Sequence, residues 1–320
     1  SLFWISSLQE ARCLREATIE NKLLLLGRTA EEEMESAILQ SCTLTLSSFK
    51  EAQELSKIAN QLSQTVPVHI KVDTGMGRLG IPLSAALETI EKIASCSGLD
   101  LEGIYTHLPS PDQDEAFSQR QLQDFKLVVA ALKHKEIEFT YHHATNSCGS
   151  FKFQDPFFNL ARPGLSLYGI YPSQTLRDRV ELSPILSLKS RVSFVKRLEV
   201  GQSAGYGREF LARDPTTIGM IPLGYSHGYP FRAWKEAHVL YRERLYSLAG
   251  RISMDSITIH FHEGWPAIGE TVTLIGSEGE ACIGVEEIAA WAGTLPYEIL
   301  TRLSGQLVRK YKGNRHSESI

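Results

Sequence analysis

His69-Ile70-Lys71-Val72-Asp73-Thr74-Gly75-Met76-Gly77-Arg78-Leu79-Gly80 is the stretch on which the reading of this chain turns. Residues 67–72, leading into it, alternate apolar and polar side chains, the period-two pattern of a strand. The strand then breaks into a loop with three glycines in six residues, at Gly75, Gly77 and Gly80. Lacking a Cβ, glycine lets the backbone turn sharply and approach a small ligand closely. Asp73 and Arg78 add both signs of charge at the end of that strand. In parallel α/β proteins, that end is where ligands bind. A tight turn closed by a surface ion pair is the plainer reading of such a loop taken alone.

Outward from this loop, short apolar strands alternate with helical segments from residue 1 to about 172. The spacing predicts strands over 2–5, 23–26, 43–46, 67–72, 101–105, 138–142 and 157–161, with amphipathic helices between them. Ser7-Leu8-Gln9-Glu10 is a capping-box start, and Ser47-Ser48-Phe49-Lys50-Glu51 and Pro82-Leu83-Ser84 open two further helices. Strand, helix, strand at this spacing implies parallel βα units. Seven are present, and a closed (β/α)8 TIM-type barrel needs eight. Residue 1 is serine, the first methionine is Met34, and residues 2–5 read as a strand already in progress. The first βα unit is therefore expected ahead of Ser1. A seven-stranded doubly wound sheet is the structural alternative.

After about residue 173 the pattern changes. Alternating runs take over at 186–195, 217–223 and 257–261, separated by turn signals. The reading is two domains, a barrel over 1–172 and a mostly β domain over 173–320. A helix over Val285 to Ala292 and a final strand near Gln306 to Tyr311 are expected in the second, before a polar, frayed end from Gly313 to Ile320.

Composition bounds the possibilities. The 320 residues carry a net charge of −4, which gives no footprint for nucleic acid. No apolar run approaches a membrane span. Cys13, Cys42, Cys96, Cys148 and Cys282 are odd in number and scattered, with no CxxC pair. That pattern suits reduced thiols in a cytoplasmic protein and argues against a zinc site.

In a barrel, the strand ends converge on one mouth. Thr106-His107, His142-His143-Ala144-Thr145-Asn146-Ser147 and Ala161-Arg162-Pro163-Gly164 follow three of the later strands. The Ser147 hydroxyl and the Gly164 backbone N–H suit phosphate oxygens, and the loops after the last two barrel strands often hold phosphate. His107 alone reads as a core histidine and Arg162 alone as a surface cation. Gathered with Arg78 at one mouth, they favour an anionic small molecule. In the β domain, Gly205-Tyr206-Gly207, Gly224-Tyr225 and Arg251-Ile252-Ser253-Met254-Asp255 are turns that expose a tyrosine or place methionine beside a carboxylate.

These motifs, with Pro296-Tyr297-Glu298, resemble in order and spacing the alanine racemases from Ser7 to about Tyr311. Those bacterial enzymes use pyridoxal 5'-phosphate to interconvert L- and D-alanine for peptidoglycan synthesis. Their fold is a cofactor-binding barrel followed by a β domain. The resemblance implies a homodimer with shared active sites and the following roles. Arg162 contacts the pyridine nitrogen; because a guanidinium keeps its proton, the ring stays a weaker electron sink. Tyr206 is one catalytic base, reaching the partner's site. A phenol of pKa ~10 is a poor base at neutral pH, and His107 and Arg162 are expected to supply a cationic field for it. Ser147, Asn146, Gly164 and Tyr297 hold the cofactor, and Arg78 orients its phenolate oxygen. Lys71 matches a position that the family can carry as a carbamate. Met254 and Tyr225 meet the substrate carboxylate. No metal is implied.

Racemisation needs a base on each face of Cα. The family's second base is the Schiff-base lysine of a Lys-x-x-x-Tyr-Gly strand, a pattern these 320 residues do not contain. The absent unit and the absent lysine point to the same segment. His227 stands where the family usually has aspartate, and Ser253 where cysteine is common. A related racemase or basic-amino-acid decarboxylase, and a non-catalytic cofactor-binding relative, are the competing readings.

Overall fold

A computed structural model describes residues 2–313; Ser1 and the polar end over 314–320 lie outside the described residues. The first unit comprises residues up to Ser166 together with Pro172–Glu181, and the second comprises Leu167–Tyr171 together with residues from Leu182 onward.

The first unit is built on strands β1 (Leu2–Ile5), β2 (Lys22–Leu25), β3 (Cys42–Leu46), β4 (Val66–Asp73), the two-residue β5 (Ile81–Pro82), β6 (Leu99–Tyr105), β7 (Tyr141–Asn146) and β8 (Leu160–Arg162). Their order is β1-β2-β3-β4-β6-β7-β8 with β5 beside β4, and every pairing is parallel. This is a nearly closed barrel sheet of the (β/α) type, and the doubly wound alternative is set aside by the sequential strand order. Helices α1 (Leu8–Glu16), α2 (Glu31–Leu39), α3 (Phe49–Gln61), α4 (Ala86–Ala94) and α5 (Glu115–Lys133) follow the strands. Ile5, Leu23, Leu44, Ile70, Ile104 and Phe125 belong to the apolar core between sheet and helices. Each such side chain, fully buried, contributes about 1.5–3 kcal/mol.

Local sequence sets the helix starts. The Ser7 hydroxyl accepts the Glu10 N–H at 3.3 Å, and the Ser48 hydroxyl accepts the Glu51 N–H at 3.2 Å. Each glutamate reaches back one residue further than a capping box would, to the N–H of Ser6 and of Ser47, both at 2.8 Å.

Two strand expectations shift. The segment read as a strand over 138–142 begins at Tyr141 and runs on to Asn146, because Phe139 is spent in the core after α5. The segment read over 157–161 becomes a strand only at Leu160–Arg162, since Phe157 and Phe158 pack against Phe125 instead.

The second unit is mostly β. Its strands are β9 (Leu188–Arg191), β10 (Phe194–Leu198), β11 (Ser203–Ala204), β12 (Phe210–Leu211), β13 (Thr216–Ile221), β14 (His238–Tyr241), β15 (Arg244–Ser247), β16 (Ile257–Phe261), β17 (Thr271–Glu278) and β18 (Ala281–Ile283). They form antiparallel sheets ordered β10-β13-β16 and β15-β14-β17-β18, with β9 also on β17. The alternating run over 186–195 is two strands, because Val192 and Ser193 turn the chain from one sheet to the other. After the expected helix over Val285–Ala292 comes another, Pro296–Arg302, that alternation did not reveal. The strand expected near Gln306 to Tyr311 does not form. The Gln306 N–H turns back to the Ser304 hydroxyl at 3.0 Å, and Val308 and Tyr311 are 86% and 88% exposed. Their apolar faces meet no strand edge in this chain.

Candidate active site

Arg162, the last residue of β8, is buried and carries a dense set of partners. Its Nη2 donates to the carbonyls of Thr106 (2.7 Å) and Ala144 (2.9 Å) and reaches His107 Nδ1 at 3.1 Å. Its Nη1 lies 2.6 Å from His143 Nδ1. Nε has no partner among the described residues. Burial pulls the guanidinium down to about 10, opposed by the Tyr105 phenol, and it remains a cation at neutral pH. Tyr105 lies beneath it, ring centre 5.2 Å away, and stacks on His143 with ring centres 4.6 Å apart.

His107 was expected to share a cationic field with Arg162. The structure corrects this. Burial first, then the charges of Arg162, Lys71 and Arg78, pull its imidazole down to about 3, so it is neutral. As Arg162 can only donate, Nδ1 of His107 accepts and its proton sits on Nε2.

Ser147 is buried immediately after β7, where its Oγ accepts the N–H of Gly164 at 2.8 Å and of Ser166 at 3.4 Å. A Cβ on Gly164 would meet nothing within 4 Å, so open space adjoins it. Asn146 Oδ1 accepts the Gly149 N–H at 3.0 Å, and its Nδ2 donates to the Leu108 carbonyl at 3.2 Å. It caps the short helix Ser147–Lys152 and thereby fixes Ser147.

Lys71, on β4, is buried with Nζ 5.5 Å from the centre of the Tyr105 ring. Desolvation, followed by the charges of Arg78 and Arg162, pulls its amine down to about 8. Arg78 is exposed on the loop that follows. That loop is not closed by an Asp73–Arg78 ion pair. Asp73 Oδ1 instead accepts the N–H groups of Gly75 (2.9 Å), Met76 (2.8 Å) and Gly77 (3.2 Å). Gly80 is required at its position, with φ of +132° and a would-be Cβ 2.8 Å from the Asp73 nitrogen.

In the second unit, Tyr206, Tyr225 and Met254 are 71%, 44% and 54% exposed. The chain brings their loops together. Gly224 lets its loop lie against 253–254, since a Cβ there would stand 2.2 Å from the Ser253 carbonyl oxygen. Tyr225 and Ser226 donate backbone N–H groups to Ser253 (3.1 Å) and Met254 (3.0 Å). Arg251 reaches back to Glu209, beyond Gly207, at 2.5 Å. Tyr297, half-exposed, lies on Pro296–Arg302 of the same unit. His227, the departure from aspartate, accepts the Gly224 N–H on Nδ1 at 3.2 Å.

The residues that sequence reasoning missed are His143, His69, Glu102 and Trp4, which surround Arg162 or continue from it. Period-two alternation was the available signal. His69 and Lys71 share one face of β4, as His143 and Thr145 share one face of β7.

Two families match the chain: Alanine racemase, N-terminal domain, over residues 1–172, and Alanine racemase, C-terminal domain, over residues 185–311. An alanine racemase of Carboxydothermus hydrogenoformans is 38% identical over 97% of this chain and 84% of its own length. One of Geobacter sulfurreducens is 36% identical over 97% of this chain and 82% of its own. The crystal structure of alanine racemase from E. faecalis superposes with a TM-score of 0.89 at 30% identity, covering 97% of this chain and 83% of that one. With motif order, fold and near-full-length identity in agreement, the chain belongs to the alanine racemase family, whose isomerase activity depends on pyridoxal 5'-phosphate.

Proposed function

We propose that this protein is an alanine racemase with Tyr206 as one base and with the carboxyl ends of β4, β6, β7 and β8 as the cofactor's seat. The Schiff-base lysine that would be the other base is not among these 320 residues, so by themselves they should turn over little alanine. The residues present fit the group. The Ser147 oxygen gathers the N–H groups of Gly164 and Ser166, which leaves its own O–H to donate beside the open space at Gly164. Arg162 keeps Nε–H unspent for the ring nitrogen. When bound, pyridoxal 5'-phosphate supplies a conjugated ring that stabilises negative charge at Cα.

Arg162 donates a hydrogen bond to the ring nitrogen and gives up no proton, so that nitrogen stays neutral. His107, held neutral with its proton on Nε2, would donate toward a Tyr206 oxygen supplied across the dimer. It acts as a polarised link to the Arg162 charge, not as a second cation. Arg78 orients the cofactor's phenolate oxygen. Lys71, with its amine brought near neutrality, attacks carbon dioxide through Nζ and loses one proton, giving a carbamate whose negative charge pairs with Arg78. Tyr225 and the Met254 backbone would be the second unit's groups for the substrate carboxylate, and Tyr297 its group for the cofactor phosphate.

The protein works as a homodimer. This is supported by the joint exposure of Tyr206, Tyr225 and Met254 at one loop cluster, which suits contribution to a partner's barrel. A cytoplasmic setting is supported by the five cysteines, all free. No helix among the described residues is long and apolar enough to cross a membrane.

The observation that carries this reading is Arg162, buried as a cation among neutral acceptors with its Nε–H unspent. The test is proton exchange into alanine in deuterated water by the cofactor-loaded protein, supplied with a family Lys-x-x-x-Tyr-Gly βα unit ahead of Ser1, and by its Tyr206→Phe variant. Racemisation should fall by about 10³-fold. Exchange from one enantiomer should be lost while exchange from the other persists. Equal activity in the two proteins would remove Tyr206 from the mechanism.

A further inference from the structure

The Arg162 hydrogen bonds do not end at His143. His143 Nε2 lies 2.8 Å from His69 Nδ1, and His69 Nε2 faces Glu102 Oε2 at 3.7 Å. Those last two atoms are buried, and neither makes a hydrogen bond among the described residues, so each is the nearest polar group the other can pair with. The other carboxylate oxygen of Glu102 pairs with Lys22. Lys22 is the first residue of β2 and Arg162 the last of β8. A line of polar groups therefore crosses the barrel interior from its amino-terminal rim to the carboxyl ends that carry the site. Barrel interiors are ordinarily layers of branched apolar side chains. A buried polar chain costs stability unless every member is paired.

The direction of the line follows from donor chemistry. Arg162 only donates, so His143 Nδ1 must be bare and its proton must sit on Nε2. That proton points at His69 Nδ1, which must also be bare, leaving the His69 proton on Nε2. It then points at the carboxylate of Glu102, which only accepts when ionised. Every donor points from Arg162 toward Glu102. If either histidine took the other tautomer, or a second proton, two donors would face each other. The chain has made room for this arrangement: a Cβ on Gly103 would fall 2.6 Å from the His69 ring.

We propose that Glu102 is a positioning residue for the reaction: as the carboxylate facing the His69 Nε2 proton, it anchors the far end of a buried polar line whose direction Arg162 sets, and through His69 and His143 it holds the Arg162 guanidinium in place. Burial pulls both histidines toward the neutral form, as the arrangement requires. The His69 contact and Lys22 hold the carboxyl of Glu102 down at about 2, so it is ionised. Glu102 thereby anchors the far end of a line whose near end is the cation proposed to hold the ring nitrogen. This rests on the proposed seat of the cofactor at Arg162, and the test separates the two.

The experiment is nitrogen NMR of histidine side chains in the ¹⁵N-histidine-labelled, cofactor-loaded protein with the same βα unit ahead of Ser1, and alanine kinetics alongside. In the unaltered protein His69 and His143 should both be neutral, protonated on Nε2, and should stay so across neutral pH. A doubly protonated or Nδ1-protonated ring in either would overturn the chain, whether or not any variant folds. Glu102→Leu should leave the His69 Nε2 proton without its facing carboxylate, move the His69 side-chain nitrogen shifts and lower kcat about tenfold while KM for alanine stays within about twofold. Glu102→Gln, whose carbonyl oxygen can still accept from His69, should restore the His69 shifts. Unchanged His69 shifts in Glu102→Leu would overturn the anchoring role. Altered shifts with unchanged kcat would overturn the link to the reaction while leaving the proposed cofactor seat standing.

Discussion

His107 Nδ1 stands 3.1 Å from Arg162 Nη2, a donor that keeps its proton, and burial together with this contact keeps the histidine neutral. Protonating Nδ1 would press two donors together beside a buried cation. The arrangement has a consequence for stability. His107 is brought down to about 3 in the folded chain and titrates near 6.5 when unfolded. Below about 6.5 the unfolded chain binds the extra proton, so stability is complete above that pH and declines as pH falls.

The expected outcome is a urea midpoint that drops steadily from about pH 7 to about pH 5. His107 alone accounts for about 2 kcal/mol at the lower pH. His143 and His69, also shifted down by burial, act in the same direction. A midpoint flat over this range would show that these rings are accessible to protons.

Two glycines should behave oppositely. In Gly103→Ala the new methyl meets the His69 ring at 2.6 Å, and stability should fall by about 1–3 kcal/mol. In Gly164→Ala the methyl enters open space, and stability should change by less than about 0.5 kcal/mol. The second variant should instead bind pyridoxal 5'-phosphate less tightly, because the methyl takes the room proposed for its phosphate. Urea unfolding and fluorescence titration read the two effects separately.

Ser147→Ala removes the acceptor that gathers the amides of Gly164 and Ser166. The dissociation constant for pyridoxal 5'-phosphate should rise about tenfold, equivalent to about 1.4 kcal/mol. An unchanged constant would place the phosphate elsewhere.

Lys71 should react with carbon dioxide. Its amine is brought down to about 8, chiefly by burial, so an appreciable fraction is unprotonated near neutrality. Protein equilibrated with ¹³C-bicarbonate should give a carbamate carbon resonance that fades as pH falls and is missing in Lys71→Met. A spectrum without that resonance above pH 8 would end the assignment.

The strands, the helix starts and the loop from Asp73 to Gly80 were legible in the sequence because their causes are local. Ser7 meets the N–H of Glu10, and Ser48 that of Glu51, within three residues. Asp73 closes its loop within four. The motifs also carried the family. What spacing did not carry was competition for the same apolar residues. Phe139, Phe157 and Phe158 looked like strand and were taken by the helix-side core. The run near Gln306 to Tyr311 looked like strand and found no edge.

The sequence by itself determined the order of βα units, the change to a β unit and the family to which the chain belongs. Only the tertiary structure decided what the polar groups at the site do: that Asn146 caps a helix, that His107 is neutral, and that His143 and His69 stand behind Arg162. The reason is physical. Period and capping act over one to four residues, whereas the His69–His143 and His143–Arg162 contacts join positions 74 and 19 residues apart. Burial at those meeting points, which no local pattern encodes, fixes where each proton resides.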